Sequence, residues 1–265
     1  MMSKKISVIG GDLRQISASK DLVEQGYRVT VYGFDDIHCL GLPECDNLSE
    51  ALSAADCVLL PLPVTRDGVT VSTPLWEKQL SLTVLFSHIS QDTVIFCGMG
   101  EKLSECYQKR ITDYAEDEGF LLKNAYLTAE AALGIAISKT PVSLFGSSVL
   151  VTGYGRIGFF LAKMLHALGA VTYVASRSPD HLVKIELEGC IPVSYDALSD
   201  VLPGMDMIFN TVPFVVFSKE LIKQIPKTCL FVDLASLPGG IDKDTAKEVG
   251  IDVLHALSLP GKVIS

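Results

Sequence analysis

The sequence predicts an α/β protein built from two doubly wound parallel-sheet domains with a cleft between them. Three observations carry this expectation. Strand-like and helix-like stretches alternate along nearly the whole chain, a pattern that implies parallel sheets. A glycine-rich turn joins a strand pattern to a helix pattern between Ser148 and Leu168. The opening of the chain, IGGDLRQ followed by a helix and RVTVYG, weakly repeats that strand-turn-helix-strand plan.

In the first half, Lys5 to Ile9 reads as a strand and Asp12 to Gln25 as a helix with Asp12 as N-cap. Arg28 to Tyr32, Asp56 to Leu60 and Thr93 to Cys97 read as further strands, with Gly119 to Leu122 a candidate fifth. Leu48 to Ala55, Leu103 to Glu118 and a less regular stretch around Trp76 to Leu85 supply the intervening helices. Pro61, Pro63 and Pro74 bracket a loop at the end of the third strand, where such sheets place ligand contacts. Thr128 to Lys139 reads as an apolar helix packed between the two domains, ending before Pro141.

In the second half, Val149 to Val151 form a buried strand and the apolar run Phe159 to Leu168 the following helix. Strands at Ala170 to Ala175, Cys190 to Val193, Met205 to Asn210, Cys229 to Asp233 and Ile251 to Leu254 complete the six of a dinucleotide fold. The expected division is residues 1–125 as an N-terminal substrate or partner domain and 126–144 as an interdomain helix and linker. Residues 145–255 follow as an NADP-binding Rossmann domain, and 256–265 as a C-terminal tail.

Composition sets limits on function. The 265 residues are 48% hydrophobic and 20% charged, as in an ordinary globular protein. A net charge of −9 argues against a nucleic-acid surface. Seven cysteines, at 39, 45, 57, 97, 106, 190 and 229, form no C-x-x-C and read as reduced residues rather than disulfides or a zinc site. Five scattered histidines give no metal spacing, and His88 and His255 lack a partner at telling distance. Lys4 and Lys5 precede an apolar stretch that breaks at Gly10-Gly11-Asp12, too short for a signal-peptide core. No run approaches the roughly 20 apolar residues that span a bilayer. A soluble, cytoplasmic protein is expected, with no membrane and no nucleic-acid partner.

The chemistry centres on Gly153-Tyr154-Gly155-Arg156-Ile157-Gly158, a G-x-G-x-x-G turn. Gly153 permits a tight turn, Gly155 lets backbone approach a pyrophosphate, and Gly158 lets helix and strand pack closely. The helix N-terminus then faces the phosphates. The alternative is a glycine turn that serves packing alone. An NAD site places a carboxylate about 20 residues on, for the ribose diol. This chain has Ser176-Arg177-Ser178 there instead, which suits a 2′-phosphate and favours NADP(H). Asn210, Thr211, Val212 and Pro213 end the fourth strand of this domain, and Asp233, Leu234 and Ala235 the fifth, both near the expected nicotinamide half.

Elsewhere the first-half turn, Gly10-Gly11, sets Asp12 where a second nucleotide would put phosphate, so a second nucleotide site is not expected. Arg14 sits in the first turn of a helix, where the dipole disfavours a cation; a bound anion would explain it, and so would simple solvation. Arg14, Asp12 and the Gly10-Gly11 amides are the candidates for a substrate carboxylate. Thr128 is a candidate helix cap and substrate contact, and Glu130 a candidate catalytic base in a largely apolar helix.

With these pieces in view the chain resembles the A subunits of dipicolinate synthase from spore-forming bacteria. The likeness runs through Ile9-Gly10-Gly11-Asp12-Leu13-Arg14-Gln15, Gly33-Phe34-Asp35, Leu60-Pro61-Leu62-Pro63, Phe96-Cys97-Gly98 and Thr128-Ala129-Glu130. It continues in the glycine turn, Ala175 to Ser178, Asn210 to Pro213, Asp233-Leu234-Ala235-Ser236-Leu237-Pro238-Gly239-Gly240 and Leu259-Pro260-Gly261. The resemblance implies an NADP-linked oxidation of dihydrodipicolinate to dipicolinate in the mother cell of a sporulating bacterium. It also implies a small dicarboxylate substrate and, for a partner, a flavoprotein-like B subunit; self-association is left open. Family members continue past L-P-G-x-V-A-P into a closing helix. This chain reads Leu259-Pro260-Gly261-Lys262-Val263-Ile264-Ser265, so that helix is expected to be missing. Two other readings fit the same dinucleotide features: a nucleotide-sensing subunit whose chemistry lies on its partner, and an NADP-linked 2-hydroxyacid or shikimate-type reductase.

Overall fold

The structure is a computed structural model that describes residues 3–35, 41–236, 238–257 and 259–263. Cys39, Leu237, Ile264 and Ser265, which figure in the motifs above, lie outside the described residues. The chain divides into two compact units, one within residues 1–121 with 260–265 and one within 122–259.

The first unit contains β1 (Lys5–Ile9), α1 (Leu13–Glu24), β2 (Arg28–Tyr32), α2 (Leu48–Leu52), β3 (Cys57–Leu59), α3 (Leu82–His88), β4 (Val94–Cys97), α4 (Glu105–Gln108) and β5 (Ile111–Asp113). Its sheet has the order β2-β1-β3-β4-β5, parallel throughout. Ile6 and Val8 pack with Ile16 of α1, whereas Ile9, Val58 and Ile95 join α2 and α3 in a separate cluster. Burial on both faces follows from helices on both sides, as doubly wound connections require.

The fifth strand is not at Gly119 to Leu122, as expected, but at Ile111–Asp113. Asp113 accepts hydrogen bonds from the amides of Met99, Gly100 and Ala115, which anchors that strand end and interrupts the long helix expected over Leu103 to Glu118. The Asp117 carboxylate accepts from Phe120 N and opens α5 (Glu118–Lys139). That helix therefore starts ten residues before Thr128, which lies inside it and caps nothing.

α5 is long and apolar enough, by length and composition, to cross a membrane. Its alanine face, Ala129, Ala131, Ala132 and Ala136, is buried in the core of the second unit, the signature of a core helix.

The second unit follows with β6 (Ser148–Thr152), α6 (Arg156–Ala167), β7 (Val171–Ser176), α7 (Pro179–Leu187), β8 (Ile191–Ser194), α8 (Leu198–Val201), β9 (Met207–Asn210), α9 (Lys219–Ile222), β10 (Leu230–Asp233), α10 (Lys243–Val249) and β11 (Val253–His255). The order β11-β10-β9-β6-β7-β8 is parallel throughout and is that of a complete Rossmann fold. Alternation within each strand builds two cores. Val149, Val151, Val174, Phe209 and Val232 face one side, and Leu150, Ala175, Ile208 and Phe231 the other. Leu161 and Leu165 of α6 are fully buried, each contributing on the order of 1.5–3 kcal/mol. The chain closes with α11 (Pro260–Val263), which returns to the first unit and packs on α1.

Candidate functional site

The β6–α6 turn has the form its glycines predict. Gly153 has φ +94°, and a Cβ there would stand 2.5 Å from the Thr211 hydroxyl. A Cβ on Gly158 would run into the Gly153 carbonyl oxygen, so only glycine lets the helix approach the turn this closely. Gly155 differs: a Cβ there would meet nothing within 4 Å. It is the N-cap of α6 and offers no side chain to the first-turn amides. Open space lined by helix-terminal N–H groups is what a pyrophosphate needs, so the turn fits a dinucleotide.

At the end of β7 the side chains separate by burial. Arg177 is exposed and makes no hydrogen bond or ion pair among the described residues. Ser176 is 6% exposed, and its hydroxyl lies 3.2 Å from His181 Nδ1 while accepting from Ser178 N at 3.3 Å. The Ser176 hydroxyl is thereby engaged within the protein. The Tyr154 ring packs edge-on against Phe159 and His181. Sequence reasoning passed over His181; its position in the first turn of the helix after Ser176 was the available signal.

The next two strand ends also depart from expectation. Asn210 and Asp233 are fully buried. Asn210 Oδ1 accepts from the Thr152 hydroxyl at 2.7 Å and from Val212 N at 3.2 Å, and its Nδ2 donates to Asp233 Oδ1 and Val212 O. Asp233 accepts further from Ala235 N and Gly240 N, with His255 Nδ1 3.8 Å away. These side chains are consumed in holding three loops at the carboxyl edge of the sheet and cannot themselves contact a cofactor. Leu234 and Ala235 are buried as well. Thr211 and Val212 are partly exposed and Pro213 is exposed, so this loop presents the surface. The glycines of the D-L-A-S-x-P-G-G motif find their reason here. A Cβ on Gly240 would run into the Asn210 side chain, and one on Gly239 would meet Asp233 at 2.5 Å. His255, which lacked a partner in the sequence, finds Asp233 across the parallel register of β10 and β11.

In the first unit, Arg14 already has a carboxylate partner from its own turn. Its guanidinium pairs with Asp12 at 2.8 Å and donates to the Leu62 carbonyl, with both side chains 13% exposed. Asp12 caps α1, and Gln15 returns to Asp12 N to complete a capping box. The expectation that the Gly10-Gly11 amides take a carboxylate is corrected: Gly10 N donates to Tyr32 O and Gly11 N to Ser72 O. Gly261 of α11 lies against Asp12, leaving no room for a Cβ. Arg14 stands between the ends of β1 and β3, the switch point of this sheet. Tyr114 faces it, its hydroxyl donating to Leu60 O and its phenol pushed well up by burial. A separate cavity at the end of β2 is bordered by Asp35, Glu44, Asp46 and Glu77 against Lys78, a poor setting for a dicarboxylate.

On α5 the Thr128 hydroxyl donates to Asn124 O and is buried, whereas Glu130 is exposed. Glu130 therefore lacks, within its own unit, the apolar surroundings that its reading as a base assumed.

Residues 5–115 match the family model of the N-terminal domain of dipicolinate synthase A subunits. Residues 134–236 match that of the NAD-binding domain of D-isomer specific 2-hydroxyacid dehydrogenases. The A subunit of dipicolinate synthase from Bacillus subtilis (strain 168) is 31% identical over 268 residues, covering 98% of this chain and 90% of that protein. The crystal structure of the corresponding Bacillus halodurans subunit superposes with a TM-score of 0.83 at 27% identity, over 99% of this chain and 93% of that one. The crystal structure of the Bacillus subtilis subunit gives a TM-score of 0.80 at 32% identity, over 99% and 91%.

Proposed function

Because the chain belongs to the family of dipicolinate synthase A subunits, we propose that it is the NADP-linked dehydrogenase subunit that oxidises dihydrodipicolinate to dipicolinate. A dehydrogenase-type subunit with a nicotinamide-dinucleotide domain is the common ground of the family matches. The finer reading, NADP rather than NAD, rests on one observation: β7 is followed by an exposed, unpaired Arg177 with no carboxylate beside it in Ser176-Arg177-Ser178.

The reaction balances as dihydrodipicolinate plus NADP⁺ giving dipicolinate, NADPH and one proton. When bound, the oxidised nicotinamide supplies the hydride acceptor, and formation of the aromatic ring drives the step. The protein's own part is positioning. The first-turn amides of α6 over Gly155 hold the pyrophosphate, and Arg177 with Ser178 holds the 2′-phosphate. The buried Thr152–Asn210–Asp233 network fixes the loop that presents Thr211, Val212 and Pro213 to the nicotinamide half. Arg14 binds a substrate carboxylate by exchanging part of its pairing with Asp12, since cations at a switch point suit an anionic ligand. The proton passes to water.

We assign the protein to the cytoplasm of the mother cell, acting with a flavoprotein-like B subunit. The test supplies synthetic dihydrodipicolinate and NADP, with and without that partner, and follows pyridine absorbance. Dipicolinate is expected with NADP and much less with NAD. No dipicolinate under either condition, or turnover on 2-hydroxyacids alone, overturns the reading.

A further inference from the structure

We propose that His181 is a second, titratable ligand of the cofactor's 2′-phosphate, which makes the preference for NADP over NAD depend on pH. The inference rests on the NADP reading above and adds to it a residue and a behaviour.

The geometry singles out His181 because two elements hold its ring. From the end of β7, the Ser176 hydroxyl lies 3.2 Å from Nδ1. From the β6–α6 turn, the Tyr154 ring packs against the imidazole at 5.5 Å between centroids and 63° between planes. Ser176 Oγ also accepts from Ser178 N, so its one proton is available to Nδ1. A neutral ring that accepts at Nδ1 carries its own proton on Nε2, and Nε2 has no hydrogen-bond partner among the described residues. His181 is thus a held imidazole whose Nε2 has no protein partner among the described residues, in the first turn of α7 and just after the end of β7, where Arg177 follows.

That position is where the ribose 2′-substituent of a dinucleotide comes to rest in this fold. Arg177 offers charge there; Ser176 serves instead to aim the imidazole. A 2′-phosphate has its second pKa near 6 and an unperturbed imidazole near 6.5, so each favours the charged form of the other around neutrality.

The charged and titratable groups on the elements that hold the ring are Arg177 just after β7, Asp180 and Lys184 on α7, and Tyr154 from the glycine turn, which packs on the ring itself. Glu188 and Cys190 face Tyr154, and Tyr195 faces Arg177. A phosphate dianion beside the ring favours its charged form. Binding therefore takes up a proton, and affinity rises as pH falls through the pKa of His181 in the complex, levelling off below its value in the free protein.

The test uses adenosine 2′,5′-bisphosphate and 5′-AMP, which differ only in the 2′-phosphate, titrated calorimetrically into the full chain at pH values from about 6 to about 8.5. The wild type should prefer the bisphosphate, and more so at low pH. His181→Ala should weaken bisphosphate binding about tenfold near pH 6 and about twofold or less near pH 8.5, leaving 5′-AMP unchanged. His181→Gln, which keeps a donor but no charge, should flatten the pH profile. Equal losses for both nucleotides, or a pH profile that survives both substitutions while Arg177→Ala still abolishes the preference, overturn the inference alone. A wild type that does not distinguish the two nucleotides overturns the NADP reading and the inference with it.

Discussion

Asn210 Nδ2 donates to Asp233 Oδ1 at 2.8 Å, and neither side chain is exposed. This bond ties β9 to β10 at the carboxyl edge of the dinucleotide sheet, and with Thr152 on β6 it spans the sheet's switch point. Replacing Asn210 by Leu would leave a buried carboxylate, the Thr152 hydroxyl and two backbone groups of Val212 short of partners. The expected destabilisation is about 3 kcal/mol. Chemical denaturation checks it, and a loss under about 1 kcal/mol would mean that water replaces the amide.

The three glycines of the β6–α6 turn should separate by function. Gly158→Ala forces a Cβ onto the Gly153 carbonyl and should destabilise the protein by about 1–3 kcal/mol. Gly155→Ala meets no protein atom and should change stability by less than about 1 kcal/mol. It should nonetheless weaken dinucleotide binding at least about tenfold, because the methyl group occupies the space left for phosphate. Calorimetric titration beside denaturation distinguishes the two. Unchanged binding in Gly155→Ala would place the pyrophosphate elsewhere.

Arg177→Ala should weaken NADP binding about ten- to a hundredfold, the range for a charge-assisted contact at about 1.4 kcal/mol per factor of ten. NAD, which lacks the phosphate, should lose little, and fluorescence titration of both reduced cofactors reads the ratio. Equal losses would make the arginine a support for the fold.

The cysteines should divide by burial. Burial pushes the Cys97 and Cys229 thiols up to about 12, and raises those of Cys45, Cys57 and Cys190. Thiolate is the reactive form, so at pH 8 Cys97 and Cys229 should resist alkylation in the folded protein and label after unfolding. Cys106 is exposed and should label first among these six. Mass spectrometry of the labelled peptides gives the order, and early reaction at Cys97 would show that the edge of the first sheet opens.

The sequence alone determined the two parallel sheets, the six strands of the dinucleotide domain and the turn at Gly153 to Gly158. These are properties of local pattern. Alternating strand and helix signals dictate parallel pairing, and a glycine triplet between a strand and a helix has few other uses. Asp12 as the cap of α1 was legible for the same reason, because a cap acts within one turn.

What the tertiary structure decided is where polar side chains spend their hydrogen bonds. Asn210 and Asp233 read as cofactor contacts from their strand ends, yet only the register of β9, β10 and β11 shows that they satisfy one another. Arg14 read equally as a cation beside a bound anion or as a solvated one; folding supplied Asp12 from its own turn and the Leu62 carbonyl from a distant part of the same unit. Gly239 and Gly240 stood in the sequence only as part of a motif; the buried pair beneath them leaves no space for a Cβ at either. Ser176 and His181 came together because a strand end and a helix start converge there. Hydrogen-bond satisfaction in a buried site is set by groups far apart in the chain, and pattern along the sequence carries no record of which donor meets which acceptor.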